Sequence, residues 1–383
     1  VQLLCSERIL QLPRSGIRRM FDLAAKHPDA IHLCMGEPDF ATPSFIIEAA
    51  FQAAKEGKTH YTPNAGFLSL RRAVAEKYKK EQGAYYDPEG EVLITVGAME
   101  ALVLTLMSIL NSGDEVIIPD PYWPNYQAQV LLAEGKPVFV PLYEEGGWIL
   151  TADRVLSHLT PRCRAIIINS PHNPTGSVYG SNELQEIVRV CKENDILIIS
   201  DEAYEKIIYD GEYHSICSLP EMKSRTIVIN TFSKTYAMTG WRVGYVLGPE
   251  PLIREMTKLQ ENVAACASSI SQEAALTALK RGEEAVMDML TKYRRRRATF
   301  LQEIEKTRSF SCCPPRGTFY AFVNVRRLGD KSEDIALRLL KEAKVVTVPG
   351  SAFGSGGEGY LRFSFATSED NIREAFDRIR SIL

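Results

Sequence analysis

"NTFSKTYAMTGWRVGY", residues 230–245, is the stretch whose reading decides the fold. A β-branched run at 226–229 leads into it, and a second apolar run at 243–247 leads out. Runs that are apolar on both faces belong to strands covered on both sides. Between these two stand Ser233-Lys234, several small residues, a lone Gly240 and Trp241-Arg242. A lysine and an arginine set between two buried strands need a reason, because burying an unpaired charge is costly.

Working outward, short β-branched runs alternate with helix-like segments from about residue 90 to 250. The runs fall at 92–96, 115–118, 137–140, 165–168, 196–199, 226–229 and 243–247, and helical stretches such as 98–110 and 182–194 separate most of them. This pattern predicts an α/β fold with three layers, a mostly parallel sheet with helices on both faces. After about residue 283 the texture becomes α+β. A long amphipathic helix is followed by runs at 318–323, 345–348 and 360–365, a helix around 332–343 and a final helix. The expected division is a large domain over 30–282 and a smaller α+β domain formed by 1–29 and 283–383.

The 383 residues carry a net charge of −3, are 45% hydrophobic and 24% charged, and so bring no bulk attraction for nucleic acid or an anionic membrane. The densest basic run, 294–297, lies among apolar residues at helical spacing and reads as a solvated helix face. Eight cysteines without a CxxC pair or a zinc-like cluster fit free thiols in a reducing cytoplasm and no metal site. No stretch approaches the roughly 20 apolar residues of a membrane span. The N-terminus lacks the layout of a secretion signal, and the start at Val1 leaves trimming of a leader open.

In an open α/β sheet, ligands sit beyond the carboxyl ends of the strands. Four polar loops follow apolar runs there: "VGAME" at 96–100, "NSPHNPTG" at 169–176, "SDEAY" at 200–204 and "TFSKT" at 231–235. A buried lysine is either a salt-bridge partner or, with its pKa lowered, a nucleophile toward carbonyl carbon, which makes Lys234 a candidate for a Schiff base. Asp201 either caps a turn or holds a proton on the nitrogen of a pyridine ring, turning that ring into an electron sink. Gly97-Ala98, between strand and helix, offers backbone N–H groups to an anion, which Thr231 and Arg242 could also bind. Trp123 is either core or a stacking face for a planar ring.

On these residues the chain resembles a pyridoxal-phosphate-dependent aminotransferase of fold type I, class I/II, aspartate or aromatic aminotransferase-like. "SKTYAMTGWRVGY" and "NSPHNPTG" match the family closely, and "SDEAY", "PYW", "HYTPNAG", "GEPDF" and "YLRFSFA" match it too. The resemblance implies pyridoxal 5′-phosphate as cofactor and a ping-pong exchange between an L-amino acid and a 2-oxo acid, 2-oxoglutarate first among acceptors. It implies that Lys234 forms the Schiff base and carries the α-proton, and that Asp201 binds the pyridine nitrogen. Asn173 and Tyr204 would bind the phenolic oxygen, with Tyr204 close to the chemistry, and Trp123 would stack on the ring. Gly97, Ala98, Met99, Thr231, Ser233 and Arg242 would surround the phosphate. Tyr61 would reach the phosphate of a neighbouring subunit, which implies a homodimer. Arg362 would clamp the substrate's α-carboxylate, with Gly36, Trp123 and Asn173 beside it.

Some aspartate aminotransferases of this kind have a lysine where Met99 stands, so the donor is open among aspartate, aromatic and other amino acids. Arg18 or Arg19 could replace that lysine, although a solvated helix face is the simpler reading. Tyr320 and Phe353 could form an apolar wall for the substrate's side chain. The alternative activity is a C–S or related lyase on the same scaffold. A cofactor-sensing regulator would need a DNA-binding region, for which this stretch leaves no room.

Overall fold

The computed structural model describes residues 4–383; residues 1–3, the start of the segment assigned above to the smaller domain, lie outside the described residues. A two-residue strand, β1 (Ile31–His32), comes first. The main sheet then uses all seven apolar runs: β2 (Val92–Thr95), β3 (Glu115–Asp120), β4 (Lys136–Pro141), β5 (Cys163–Asn169), β6 (Leu197–Asp201), β7 (Thr226–Thr231) and β8 (Gly244–Leu247). Their order across the sheet is β2-β8-β7-β6-β5-β3-β4. All neighbours are parallel except β8, which runs antiparallel to both β2 and β7.

Alternation along each strand explains why the runs are apolar throughout. In β5, Ala165 and Ile167 face one layer while Ile166 and Ile168 face the other; Ile199 and Ile198 of β6 divide the same way. The first layer contains the helices Gly97–Ile109, Asn125–Leu132 and Glu250–Val263. Opposite it, Ser44–Lys55, Leu68–Gln82 and Ser269–Arg281 cover one end of the sheet and Ser181–Glu193 the other. Side chains of successive strand residues point to opposite faces, so a strand buried on both is apolar through most of its length.

A second sheet forms from β9 (Ser311–Cys312), β10 (Tyr320–Asn324), β12 (Val348–Pro349) and β13 (Tyr360–Ser364), in the order β12-β13-β10-β9, all antiparallel. Strand β11 (Val345–Val346) instead pairs in parallel with β1. The helices Glu283–Lys306 and Glu369–Ile382 pack beside this sheet through Phe300 and Phe376. The long helix departs from the solvated face expected at 294–297. Arg296 is only 9% exposed and forms a two-pronged ion pair with Asp39, and Arg297 pairs with Asp210. The run faces inward in part because a helix turns 100° per residue, so four consecutive side chains cannot share one face.

Candidate active site

Asn169, Asp201 and Thr231 end their strands at the carboxyl edge of the main sheet: Asn169 lies opposite Asp201, Asp201 opposite Ile229, and Thr231, two residues further on, opposite Gly244. Because β8 runs antiparallel, its amino end falls on this same edge. That is why Arg242, which precedes a strand, joins residues that follow strands. The chain between Thr231 and Gly244 is thus a single excursion across the mouth of the sheet.

Local structure fixes Lys234 on a one-turn helix, Phe232–Thr235, whose cap Thr231 accepts a hydrogen bond from the Ser233 N–H at 3.2 Å. Its Nζ donates to the Gly36 carbonyl at 2.6 Å. Burial lowers the Lys234 pKa to about 8, with Arg362 and Arg242 acting in the same direction and Glu37 and Asp201 against it. Asp201, also buried, accepts from the Tyr126 hydroxyl at 2.5 Å and the Ala203 N–H at 3.2 Å. Desolvation raises its carboxyl above the ordinary value, opposed by those two donors and by Lys234.

Gly97 takes a φ of +74°, and a Cβ there would stand 2.8 Å from Nη2 of Arg242. The helix Gly97–Ile109 therefore begins where only glycine leaves room for the guanidinium, with its free N–H groups turned to the same place. Arg242 itself has φ +51°, rare for a side chain of its size, and donates to the Thr239 carbonyl at 2.8 Å.

Arg362, in β13, is 1% exposed. Nη1 donates to Asn173 Oδ1 and Nη2 to the Cys34 carbonyl, both at 3.0 Å, while Nε has no partner among the described residues. The rings of Tyr320 and Phe353 lie 4.2 and 4.8 Å from its guanidinium carbon. These two aromatics brace Arg362, and only Tyr320 reaches the cavity, so the apolar wall expected from the pair is not formed. The hydroxyls of Tyr204 and Tyr320 are 3.1 Å apart, and burial raises the Tyr204 pKa well above the ordinary phenol value.

One cavity of about 530 Å³ gathers Lys234, Asp201, Tyr204, Asn173, Trp123, Ala98, Met99, Thr231, Ser233, Arg242, Gly36 and Arg362. Gly97 stands behind it, packed on Arg242. Tyr61 is the exception: it is 86% exposed and does not line the cavity. Sequence reasoning missed Tyr126, which touches Asp201 and lies edge-on to Trp123 at 5.4 Å, and Glu37, which accepts from Thr239 Oγ1 at 2.7 Å. Tyr126 was legible only as the second residue of a helix following "PYWPN". The outer cavity wall is Ile17, Phe21, Met35 and Met99, with Arg18 at the rim in an exposed pair with Asp22 at 3.3 Å. Arg19 turns away to Glu333. Among the described residues no His, Cys, Asp or Glu cluster could hold a metal ion, and no helix is long and apolar enough to cross a membrane.

Comparison with known proteins agrees with this architecture. The family described as aminotransferase class I and II matches residues 28–379. The chain is 44% identical to aromatic-amino-acid aminotransferase 2 of Thermococcus litoralis, covering 99% of this chain and 98% of the relative. It is also 44% identical to an aspartate aminotransferase of Pyrococcus abyssi with the same coverage. The crystal structure of an aromatic aminotransferase from Pyrococcus horikoshii OT3 superimposes with a TM-score of 0.91 at 44% identity, covering 96% of this chain and 98% of that one. These names do not favour the lyase alternative.

Proposed function

The chain belongs to the class I and II aminotransferases and catalyses amino-acid transamination; on that premise we propose that it holds pyridoxal 5′-phosphate in the cavity at the carboxyl edge of the main sheet. The observation that carries this reading is the convergence of Lys234, Asp201 and Arg362 on one cavity. The donor set fits the group. An amine with a pKa near 8 suits capture of an aldehyde, and a glycine turn packed on Arg242 suits a phosphate. Arg362, with an unpartnered buried Nε, has donors left for a carboxylate.

When bound, pyridoxal phosphate supplies an aldehyde that captures the amino group and a ring that withdraws electrons from the substrate's α-carbon. Asp201, accepting from the Tyr126 hydroxyl and the Ala203 N–H, would keep a proton on the ring nitrogen. Asn173 and Tyr204 would orient the phenolic oxygen, and Trp123 would lie against the ring face. The N–H groups of Gly97, Ala98 and Met99, with Thr231, Ser233 and Arg242, would bind the phosphate. Arg362 orients the α-carboxylate, assisted by Gly36. Lys234 Nζ then accepts the α-proton and returns it, so one amine serves as both base and acid. The two halves of a ping-pong cycle use the same groups, with a 2-oxo acid, 2-oxoglutarate in the first instance, as acceptor.

The wall formed by Ile17, Phe21, Met35 and Met99 suits a large apolar donor side chain; among the described residues the cation beside that wall, Arg18, is exposed and already paired with Asp22. A homodimer would bring Tyr61 to the neighbouring site, and its exposure in the single chain supports that placement. The large and small domains divide at 30–282 against 1–29 and 283–383, with the β1–β11 pairing joining the two near residue 31. Eight free cysteines support a reducing, cytoplasmic setting.

Half-reaction spectra test the reading. Wild-type protein with pyridoxal phosphate is expected to show a visible absorbance that phenylalanine discharges more efficiently than aspartate. Lys234→Ala should lose both the band and the discharge. An unchanged band in that variant would remove Lys234 from its role.

A further inference from the structure

The backbone carbonyls that hold Lys234 and Arg362 come from positions 36 and 34 of one chain segment. Two residues span at most about 7 Å, so this segment limits the separation between the amine and the guanidinium. Its ends are tied to the elements that carry those groups. On one side the Leu33 N–H donates to the Val346 carbonyl at 2.9 Å, and the Leu33 carbonyl accepts from the Ser364 N–H at 2.7 Å. On the other, Glu37 accepts from Thr239, Thr42 Oγ1 donates to the Ala237 carbonyl at 2.6 Å, and Trp241 Nε1 donates to Thr42 Oγ1 at 2.9 Å.

Near its middle the segment crosses to the long helix Glu283–Lys306. Arg296 Nη1 and Nη2 donate to Asp39 Oδ1 and Oδ2 at 2.7 and 2.8 Å. The Phe40 ring lies 4.7 Å from the Arg296 guanidinium carbon and edge-on to Tyr293 at 5.3 Å. A two-pronged pair stacked on an aromatic ring holds one geometry, which a single-point ammonium contact does not.

We propose that Asp39 and Arg296 are positioning residues for transamination, their ion pair clasping residues 33–42 so that one backbone segment sets Lys234 against Arg362. The inference rests on the roles given above to those two side chains. Charged or titratable groups face Lys234 from several elements: Glu37 from the clasped segment, Asp201 at the end of β6, Tyr204 beyond it, Arg242 before β8 and Arg362 in β13. Of these only Glu37, together with the Gly36 carbonyl, belongs to the segment, and both favour the charged amine. Releasing the clasp therefore makes the amine lose its proton at lower pH.

Two readouts test this with full-length protein. The first is the pH midpoint for capture of pyridoxal phosphate by protein stripped of cofactor. The second is the affinity of the loaded enzyme for 3-phenylpropionate, a non-reacting carboxylate, measured by calorimetry. Asp39→Asn is expected to lower the midpoint by about half a unit or more and to weaken 3-phenylpropionate about fivefold or more. Arg296→Lys, which keeps the charge, should give smaller changes in the same directions and serves if Asp39→Asn does not fold. A variant that melts earlier yet keeps the wild-type midpoint and carboxylate affinity would show a purely structural pair and overturn the proposal. Wild-type capture with no dependence on Lys234 would instead overturn the reading of the site on which the clasp depends.

Discussion

The charge on Lys234 governs what the cavity can do. A lysine amine in water is almost wholly protonated at neutral pH, and only the uncharged form attacks a carbonyl. Desolvation brings this one to about 8, and the flanking Arg362 and Arg242 help, while Glu37 and Asp201 hold the shift in check. Below that value the uncharged fraction rises about tenfold for each pH unit, and above it the fraction levels off. Capture of pyridoxal phosphate by cofactor-free protein is therefore expected to accelerate up to about pH 8 and then reach a plateau. Stopped-flow rates across the pH range check this; a rate still climbing steeply toward pH 10 would mean an unperturbed lysine. Lys234 and Asp201 stood out in the sequence as charged residues closing apolar runs, and Arg362 entered through the family resemblance; that the three share one cavity is a fact of the fold. Tyr126 did not stand out, since a tyrosine in a helix is usually core, and its hydroxyl gains meaning only once Asp201 is 2.5 Å away.

Elements were legible where burial leaves only one solution. All seven runs of the main sheet form strands: six are buried over most of their length and mostly apolar, and the edge strand β4, only partly buried, is carried by its β-branched Val138 and Val140. The order of the strands and the reversed direction of β8 were not legible, because they depend on crossovers between distant segments. The reversal has a steric condition at Gly244. A Cβ there would come within 2.8 Å of the Asn230 carbonyl oxygen, 2.9 Å of the Ala98 nitrogen and 2.9 Å of the Gly97 carbonyl carbon, all backbone atoms that cannot step aside. Gly244→Ala must push β8 away from both β7 and the start of the helix Gly97–Ile109. The expected cost is about 2–4 kcal/mol, visible as a lowered melting temperature. Because the displaced helix start carries Gly97, Ala98 and Met99, affinity for pyridoxal phosphate should fall more than affinity for pyridoxal. Equal losses for the two would place the damage away from the phosphate.

At the scale of the molecule, the single chain completes its cavity with every expected side chain but Tyr61, which stands exposed outside it. The resemblance in the sequence assigns Tyr61 to the phosphate of a neighbouring subunit, and its exposure in the single chain is compatible with that expectation. In a two-fold dimer the same patch meets itself, so a residue reaching across does so in both directions. Mixing two inactive variants distinguishes the cases. In a hybrid of Tyr61→Ala with Lys234→Ala, the site that keeps Lys234 would receive an intact Tyr61 from the other chain, and the remaining site would carry both defects. Random reassortment makes about half the dimers hybrid with one good site in two, so activity should return to about a quarter of the wild-type level. If Tyr61 serves its own chain, every site in every dimer keeps one defect and mixing restores nothing. The recovery is measured after denaturing and refolding the two variants together, with each refolded alone as the reference.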